Sequence, residues 1–256
     1  MSCKISDIIE VLEELFPLSN AMEYDNPGLL CGDRNSLLEN ILLTLDCTSD
    51  AVKEAQVNGC NLIIAHHPLI FGGIDSISCD KPAGRILTDL VKKDIALYAC
   101  HTQLDCTNEF GNMAIAAALG LKARKLEGAT IGVVSEIDSD IDMFSRKVMR
   151  CLGSSGVITL SAPDKNVGKV FIQGGSFDEE NIDVIVSSGV DTVLTGEMKH
   201  HHMVLLSEYG IGTVLCGHNA SERIYLPELK KVLDTRNLGV KIFVDNGKET
   251  TLNYKG

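Results

Sequence analysis

Asn61-Leu62-Ile63-Ile64-Ala65-His66-His67-Pro68 is the stretch from which the rest of the chain is read. Residues 61–65 have the length and apolar composition of a buried strand, and Pro68 cannot continue a ladder. The strand therefore stops, and it stops on two imidazoles. Working outward, residues 95–100 form a second apolar run that leads into His101-Thr-Gln-Leu-Asp105, and residues 40–46 form a third. Between these runs lie helical stretches at 49–57, with Ser49 or Asp50 as N-cap and Gly59 just past the end, and at 84–93. An amphipathic helix at 6–16 precedes them, with Ile8, Ile9, Leu12, Leu15 and Phe16 on one face, and Pro17 stops it. Asp25-Asn26-Pro27-Gly28 is turn chemistry. Strands alternating with helices of this size predict an α/β layer with a mostly parallel sheet.

Beyond Asp105 a helix at 113–119 ends at Gly120. Residues 126–168 are rich in Ser, Asp and Gly and read as less regular, with one helical segment around 143–152. The alternation then resumes, with strands at 169–173, 191–194 and 213–216 and helices at 179–187 and 226–233. The expected architecture is two similar-sized α/β lobes with mostly parallel sheets, residues 1–125 and 126–256, divided near 122–130. A metal site is expected in the cleft between them, the second lobe supplying His218 and Glu222, with the last helix able to pack on the first lobe.

A chain of 256 residues, 45% hydrophobic and 23% charged, is composed like an ordinary globular protein. Its longest apolar runs are strand-length, well short of the roughly 20 residues a membrane helix needs. Met1-Ser2-Cys3-Lys4 leads straight into the first helix without the features of a signal peptide. Nine cysteines without a CxxC pair suggest reduced thiols, with Cys47, Cys60 and Cys216 as small core residues. These features together give the expectation of a cytoplasmic protein. A net charge of −12 argues against broad attachment to nucleic acid or anionic lipid. It leaves room for a small anionic substrate, because bound cations reverse the local field.

Histidine is scarce, and five of the seven residues fall in two short runs, His66-His67 and His200-His201-His202. Three strands end within a residue or two of potential ligands: His66-His67, His101 with Asp105, and His218 with Glu222. Ligands of open parallel sheets bind beyond the carboxyl ends of strands, so such a fold brings these loops to a rim. Imidazole and carboxylate, with Cys106 the one thiol nearby, suit Zn, Fe, Mn, Co or Ni. Five or six ligands exceed the needs of one tetrahedral ion, and a bridging carboxylate from Asp105 or Glu222 makes two ions the natural count. Such pairs lie roughly 3.5–4 Å apart and share a water that ionises near neutral pH.

Each piece also has a structural reading. His-His-Pro can be a strand-end turn, and His101 with Asp105 a loop hydrogen bond. Asn219-Ala-Ser-Glu222 has the spacing of a capping box, although His218 and Glu222 fall on one helix face at four residues apart. The recurrence at three strand ends favours ligation. A further cluster, Thr195-Gly-Glu197-Met-Lys-His200-His201-His202, reads either as a metal-binding tract or as a solvated helix start. Glu197 and His201 are taken to line the cleft. Gly174-Gly175-Ser176 reads as a tight turn in preference to an anion cradle.

Five ordered motifs, Asp25-Asn-Pro-Gly-Leu-Leu-Cys-Gly32, His66-His-Pro-Leu-Ile-Phe71, His101-Thr-Gln-Leu-Asp105, Thr195-Gly-Glu-Met-Lys-His-His201 and Gly217-His-Asn-Ala-Ser-Glu222, resemble one family across nearly the whole chain. It is the dinuclear-metal family labelled "GTP cyclohydrolase I type 2", also called NGG-one-interacting-factor-three-like, in its short form. Tyr24 stands where Trp is common and Gln103 where Asn is usual; neither is a ligand position. The resemblance implies a two-lobed subunit, a toroidal homohexamer, and two divalent transition-metal ions (Zn, Fe or Mn). His66, His67, Asp105, His218 and Glu222 fall on its metal-ligand positions, His101 on an adjoining histidine, and Glu197 and His201 on its cleft motif.

The function implied is hydrolytic opening of a purine nucleotide such as GTP by metal-activated water, with His101 or His201 moving protons. The alternative is a non-catalytic metal-binding scaffold or regulatory interaction protein. A metallophosphoesterase ranks last, since its Asp-x-His and Asn-His-Glu/Asp patterns do not occur.

Overall fold

The computed structural model describes residues 3–107, 110–161 and 166–247. They divide into two compact units, one from within Met1–Thr107 and Leu226–Lys248, the other from within Asn108–Tyr225.

The first unit begins with α1 (Ile5–Leu15), which buries Ile5, Ile8, Ile9 and Leu12 along one stripe. It continues through β1 (Gly28–Cys31), β2 (Asn40–Asp46), α2 (Ser49–Val57), β3 (Leu62–His67), α3 (Pro82–Lys92), β4 (Ala96–Ala99) and the single turn α4 (Thr102–Asp105). The second unit runs α5 (Asn112–Ala118), β5 (Ala123–Lys125), β6 (Val133–Asp140), α6 (Ile141–Leu152), β7 (Ile158–Leu160) and β8 (Asn166–Ser176). After a 3-10 turn at Glu179–Asn181 come α7 (Ile182–Ser187), β9 (Thr192–Glu197), α8 (His200–Glu208), β10 (Gly212–Leu215) and α9 (His218–Glu222). From Leu226 the chain belongs to the first unit again, with most of α10 (Tyr225–Asp234) and all of β11 (Lys241–Val244).

The first sheet has the order β1-β4-β3-β2-β11. All its neighbours pair parallel except β1, which runs antiparallel to β4. Residues 41–45 of β2 and 62–66 of β3 are buried without interruption, the signature of strands covered on both faces. Leu42, Ile63, Ala65 and Leu97 pack there with Val52 and Ala55 of α2 and Ile86, Leu87 and Leu90 of α3. The second sheet, β5-β6-β8-β9-β10-β7, keeps a parallel centre of β8, β9 and β10 between antiparallel flanks. Phe171, Val193, Ile185 and Leu206 form its core. The expected α/β class with two mostly parallel sheets is what the chain adopts.

Two local expectations change. The described residues of the 126–168 stretch are more regular than expected, with β6 and β7 besides α6. The N-cap of α2 is Thr48, whose Oγ accepts from the Ala51 amide at 3.1 Å, while Ser49 is already helical. Thr48→Ala is therefore expected to cost about 1 kcal/mol and Ser49→Ala less than half as much. Thermal midpoints of the two variants measure the order, and equal losses would place the cap elsewhere.

Candidate metal centre

Parallel pairing brings the carboxyl ends of β2, β3 and β4 to the same edge of the first sheet. β3 runs through both histidines, so His66 and His67 sit on strand backbone, with Asp46 the parallel partner of His67. His66 Nδ1 donates to the carbonyl of Cys100 at 2.9 Å. His67 Nδ1 donates to Asp46 Oδ1 at 2.9 Å, and His101 Nδ1 to Asp25 Oδ1 at 2.8 Å. An oxygen thus holds one nitrogen of each ring, which fixes the tautomer and leaves Nε2 available to an ion. Ring centroids of the trio lie 5.0, 5.2 and 5.6 Å apart, and one ring nitrogen of each lies within 4.8 Å of the others. Asp105 reaches in from α4, with Oδ2 3.6 Å from His66 Nε2.

Asp25 is the buried anchor of this arrangement. It accepts from His101, from the Thr102 amide at 3.1 Å, from the Thr102 hydroxyl and from the Asn26 amide at 2.7 Å. Burial would raise its pKa, but the hydrogen bonds from His101 and Thr102 outweigh it and hold the carboxyl at about 2, below the usual 3.8. A carboxylate depressed on folding stabilises the fold above its unfolded pKa, and that stability is lost as pH falls through the folded value. The stability gap between wild type and Asp25→Asn should therefore be present at pH 5. It should shrink between about pH 4 and 2, by at most about 2 kcal/mol. Denaturant midpoints along this acid limb report it, and a gap unchanged down to pH 2 would show that Asp25 is not so paired.

In the second unit, β9 ends on Glu197, and the chain leaving β10 turns at Gly217 into α9. His218 Nδ1 donates to Glu197 Oε1 at 3.0 Å, and His218 Nε2 lies 3.1 Å from Glu222 Oε2, one helical turn on. Glu222 is buried while Glu197 is exposed. The capping-box reading falls here: α9 starts at His218 with Gly217 as N-cap, so Asn219 is already helical and Glu222 faces His218. Glu197 holds His218 in the same way that Asp46 holds His67 and Asp25 holds His101.

The glycines that read as a turn lie in β8, where the register with β9 shifts between Gln173 and Ser176. A Cβ on Gly174 would stand 2.3 Å from the Tyr225 hydroxyl, and one on Gly175 2.1 Å from Glu222 Oε1. The Gly175 amide donates to Ser221 Oγ at 2.9 Å, and Ser221 donates in turn to the His218 carbonyl at 2.7 Å. Gly174 leaves room for Tyr225, and Gly175 admits α9 close to the strand.

His201 stands in another group. Its ring centroid lies 4.1 Å from that of His202, and both approach Glu179. Cys47, Cys60 and Cys216 are buried, and burial pushes the Cys47 and Cys216 thiols up to about 12, which suits core packing and not thiolate ligation. The roles of Asp25 and Asp46 were missed in the sequence. Asp46 had a signal, being the one acid at the end of an otherwise apolar strand.

Imidazole nitrogens aimed by oxygens, buried carboxylates and no thiolate among them form donor sets that fit divalent transition-metal ions. The fold and these clusters define a two-sheet α/β protein with candidate metal-binding groups at strand ends. The chain belongs to the Duf34/NIF3 (NGG1p interacting factor 3) family, whose model matches residues 3–250. A "GTP cyclohydrolase 1 type 2 homolog" of Clostridium perfringens is 34% identical over 230 residues, 86% of this chain and 87% of the relative. A protein so named in Clostridium acetobutylicum is 28% identical over 232 residues, 87% of this chain and 86% of its own. Among solved structures, a Staphylococcus aureus hypothetical protein superposes with a TM-score of 0.89 at 25% identity over 100% of both chains. Among the described residues no helix is long and apolar enough to cross a membrane.

Proposed function

We propose that this protein is a dinuclear-metal-dependent hydrolase that opens the ring of a purine nucleotide such as GTP. The proposed ligands are His66, His67, Asp105, His218 and Glu222. The observation that carries the reading is the fixing of each histidine's Nδ1 by Cys100, Asp46, Asp25 or Glu197, which aims Nε2 for use. Names of the clostridial relatives support the substrate class. When bound, paired divalent ions supply Lewis acidity and an ionised water at neutral pH. The chain's own residues do the rest. His101, held by Asp25 beside His66 and His67, takes and returns a proton through Nε2, and the Asp25 charge offsets that of the ring when it is protonated. Glu197 keeps His218 in its ligating tautomer.

The packing of Gly174 and Gly175 against Tyr225 and Glu222, where a phosphate cradle would need open amides, favours a second reading: a non-catalytic metal-binding scaffold. The deciding experiment assays untagged protein, loaded in turn with Zn, Mn and Fe, for GTP hydrolysis beside a chelator-treated control. Metal-dependent turnover supports the hydrolase. Full loading without turnover supports the scaffold, and equal turnover after metal removal sinks the hydrolase mechanism. The family resemblance leads us to propose a homohexamer as well, for which a monomer by light scattering would be the contrary result.

A further inference from the structure

The triple histidine at the start of α8 has a geometry of its own. His202 Nε2 lies 3.1 Å from Glu179 Oε2, and one ring nitrogen each of His201 and His202 lies within 4.8 Å of a Glu179 oxygen and of the other. His202 is buried, with its ring 6.3 Å from that of Phe177, so one ligand is fixed in place by packing. Glu179 is fixed through its backbone. Asp178 caps the turn that begins at Glu179 by accepting from the Glu180 amide at 3.0 Å, and Thr130 donates to the other Asp178 oxygen at 2.6 Å. His201 and Glu179 are exposed, leaving one side open to water.

We propose that Glu179, His201 and His202 form a separate zinc-binding site, a two-histidine, one-glutamate set with an open coordination position. The donors are borderline nitrogen and hard oxygen in the number a four-coordinate Zn²⁺ takes while keeping a solvent position. The competitor is Lys199, whose Nζ lies 3.0 Å from the same Glu179 oxygen. That pair is exposed on both sides and screened by salt, so the ammonium leaves when a dication arrives. Ligands from a helix start and from a turn 22 residues earlier make the ion a clip between two segments of the second unit. The site does not depend on the proposed hydrolase function, because it shares no residue with the ligand set named there.

The test is equilibrium dialysis of the untagged full chain against micromolar Zn²⁺, with elemental analysis per chain, for wild type, Glu179→Gln, His201→Ala and Lys199→Gln. The first two variants should each hold one zinc fewer than wild type, and Lys199→Gln should hold its zinc more tightly. Exposed Glu179 and His201 can change without unfolding the protein. Asp105→Ala should lose metal elsewhere and retain this ion, which separates failure of one site from failure of the other. Equal zinc in wild type, Glu179→Gln and His201→Ala would overturn the proposal, as would weaker binding in Lys199→Gln.

Discussion

Replacing Asp105 with Ala is expected to remove at least one of the proposed two metal ions per chain and to abolish metal-dependent turnover, while the metal-free fold survives. Asp105 is the last residue of the single turn α4, and its side chain lies beside His66 in a nearly buried position. In the absence of metal, Ala leaves His66 its bond to Cys100 and His101 its bond to Asp25, so the imidazole trio keeps its anchors. Stability of the chelator-treated protein should therefore change by no more than about 1 kcal/mol. The loaded proteins should differ far more. An ion at 1,000 times its dissociation constant adds about 4 kcal/mol to the native state, and a variant that cannot bind it loses that increment. Thermal midpoints with and without chelator isolate the effect. Wild type should show a large gap and the variant a small one, with metal content measured on the same samples. A variant that retained both ions and the full gap would remove Asp105 from the ligand set.

The sequence disclosed those parts of the fold whose physical cause is local. β2 and β3 are continuous apolar runs because both faces of the first sheet are covered, and such runs leave little choice but strand. The candidate ligand positions stand out for a related reason: histidines and acids placed directly after buried strands contrast with their surroundings. β6 was missed because its second half, Glu136-Ile-Asp-Ser-Asp140, is half exposed and polar, and its pairing with β8 is antiparallel with a shifted register. β11 is four residues long and pairs with β2, 201 positions earlier in the register of Lys241 with Asn40, which no local window can reveal. The partners of the histidines were hidden for the same reason. Asp46 meets His67 through strand register, and Asp25 meets His101 across 76 residues of chain. Residue type marked the candidate ligands, whereas their supports became visible only once the strands were aligned.

That dependence on support predicts that a methyl group placed behind Glu222 will do more harm to the metal site than to the fold. In Gly175→Ala the new Cβ would stand 2.1 Å from Glu222 Oε1 and 3.3 Å from His218 Nε2, at a backbone φ of +64°. The nearest obstacle is the end of a flexible side chain, so Glu222 can swing away without moving β8. The fold then bears mainly the left-handed backbone penalty, about 1–2 kcal/mol. Gly189→Ala supplies the control, since φ there is +71° and nothing lies within 4 Å of the added Cβ. Both variants should show similar losses in denaturant midpoint. Only Gly175→Ala should lose metal, because Glu222 can no longer occupy its place 3.1 Å from His218. The contrast separates ligation from stability within one experiment. If Gly175→Ala binds metal as wild type does, then the position of Glu222 against Gly175 does not serve ligation. If Gly189→Ala loses metal as well, backbone strain in this unit and not the carboxylate's position governs binding.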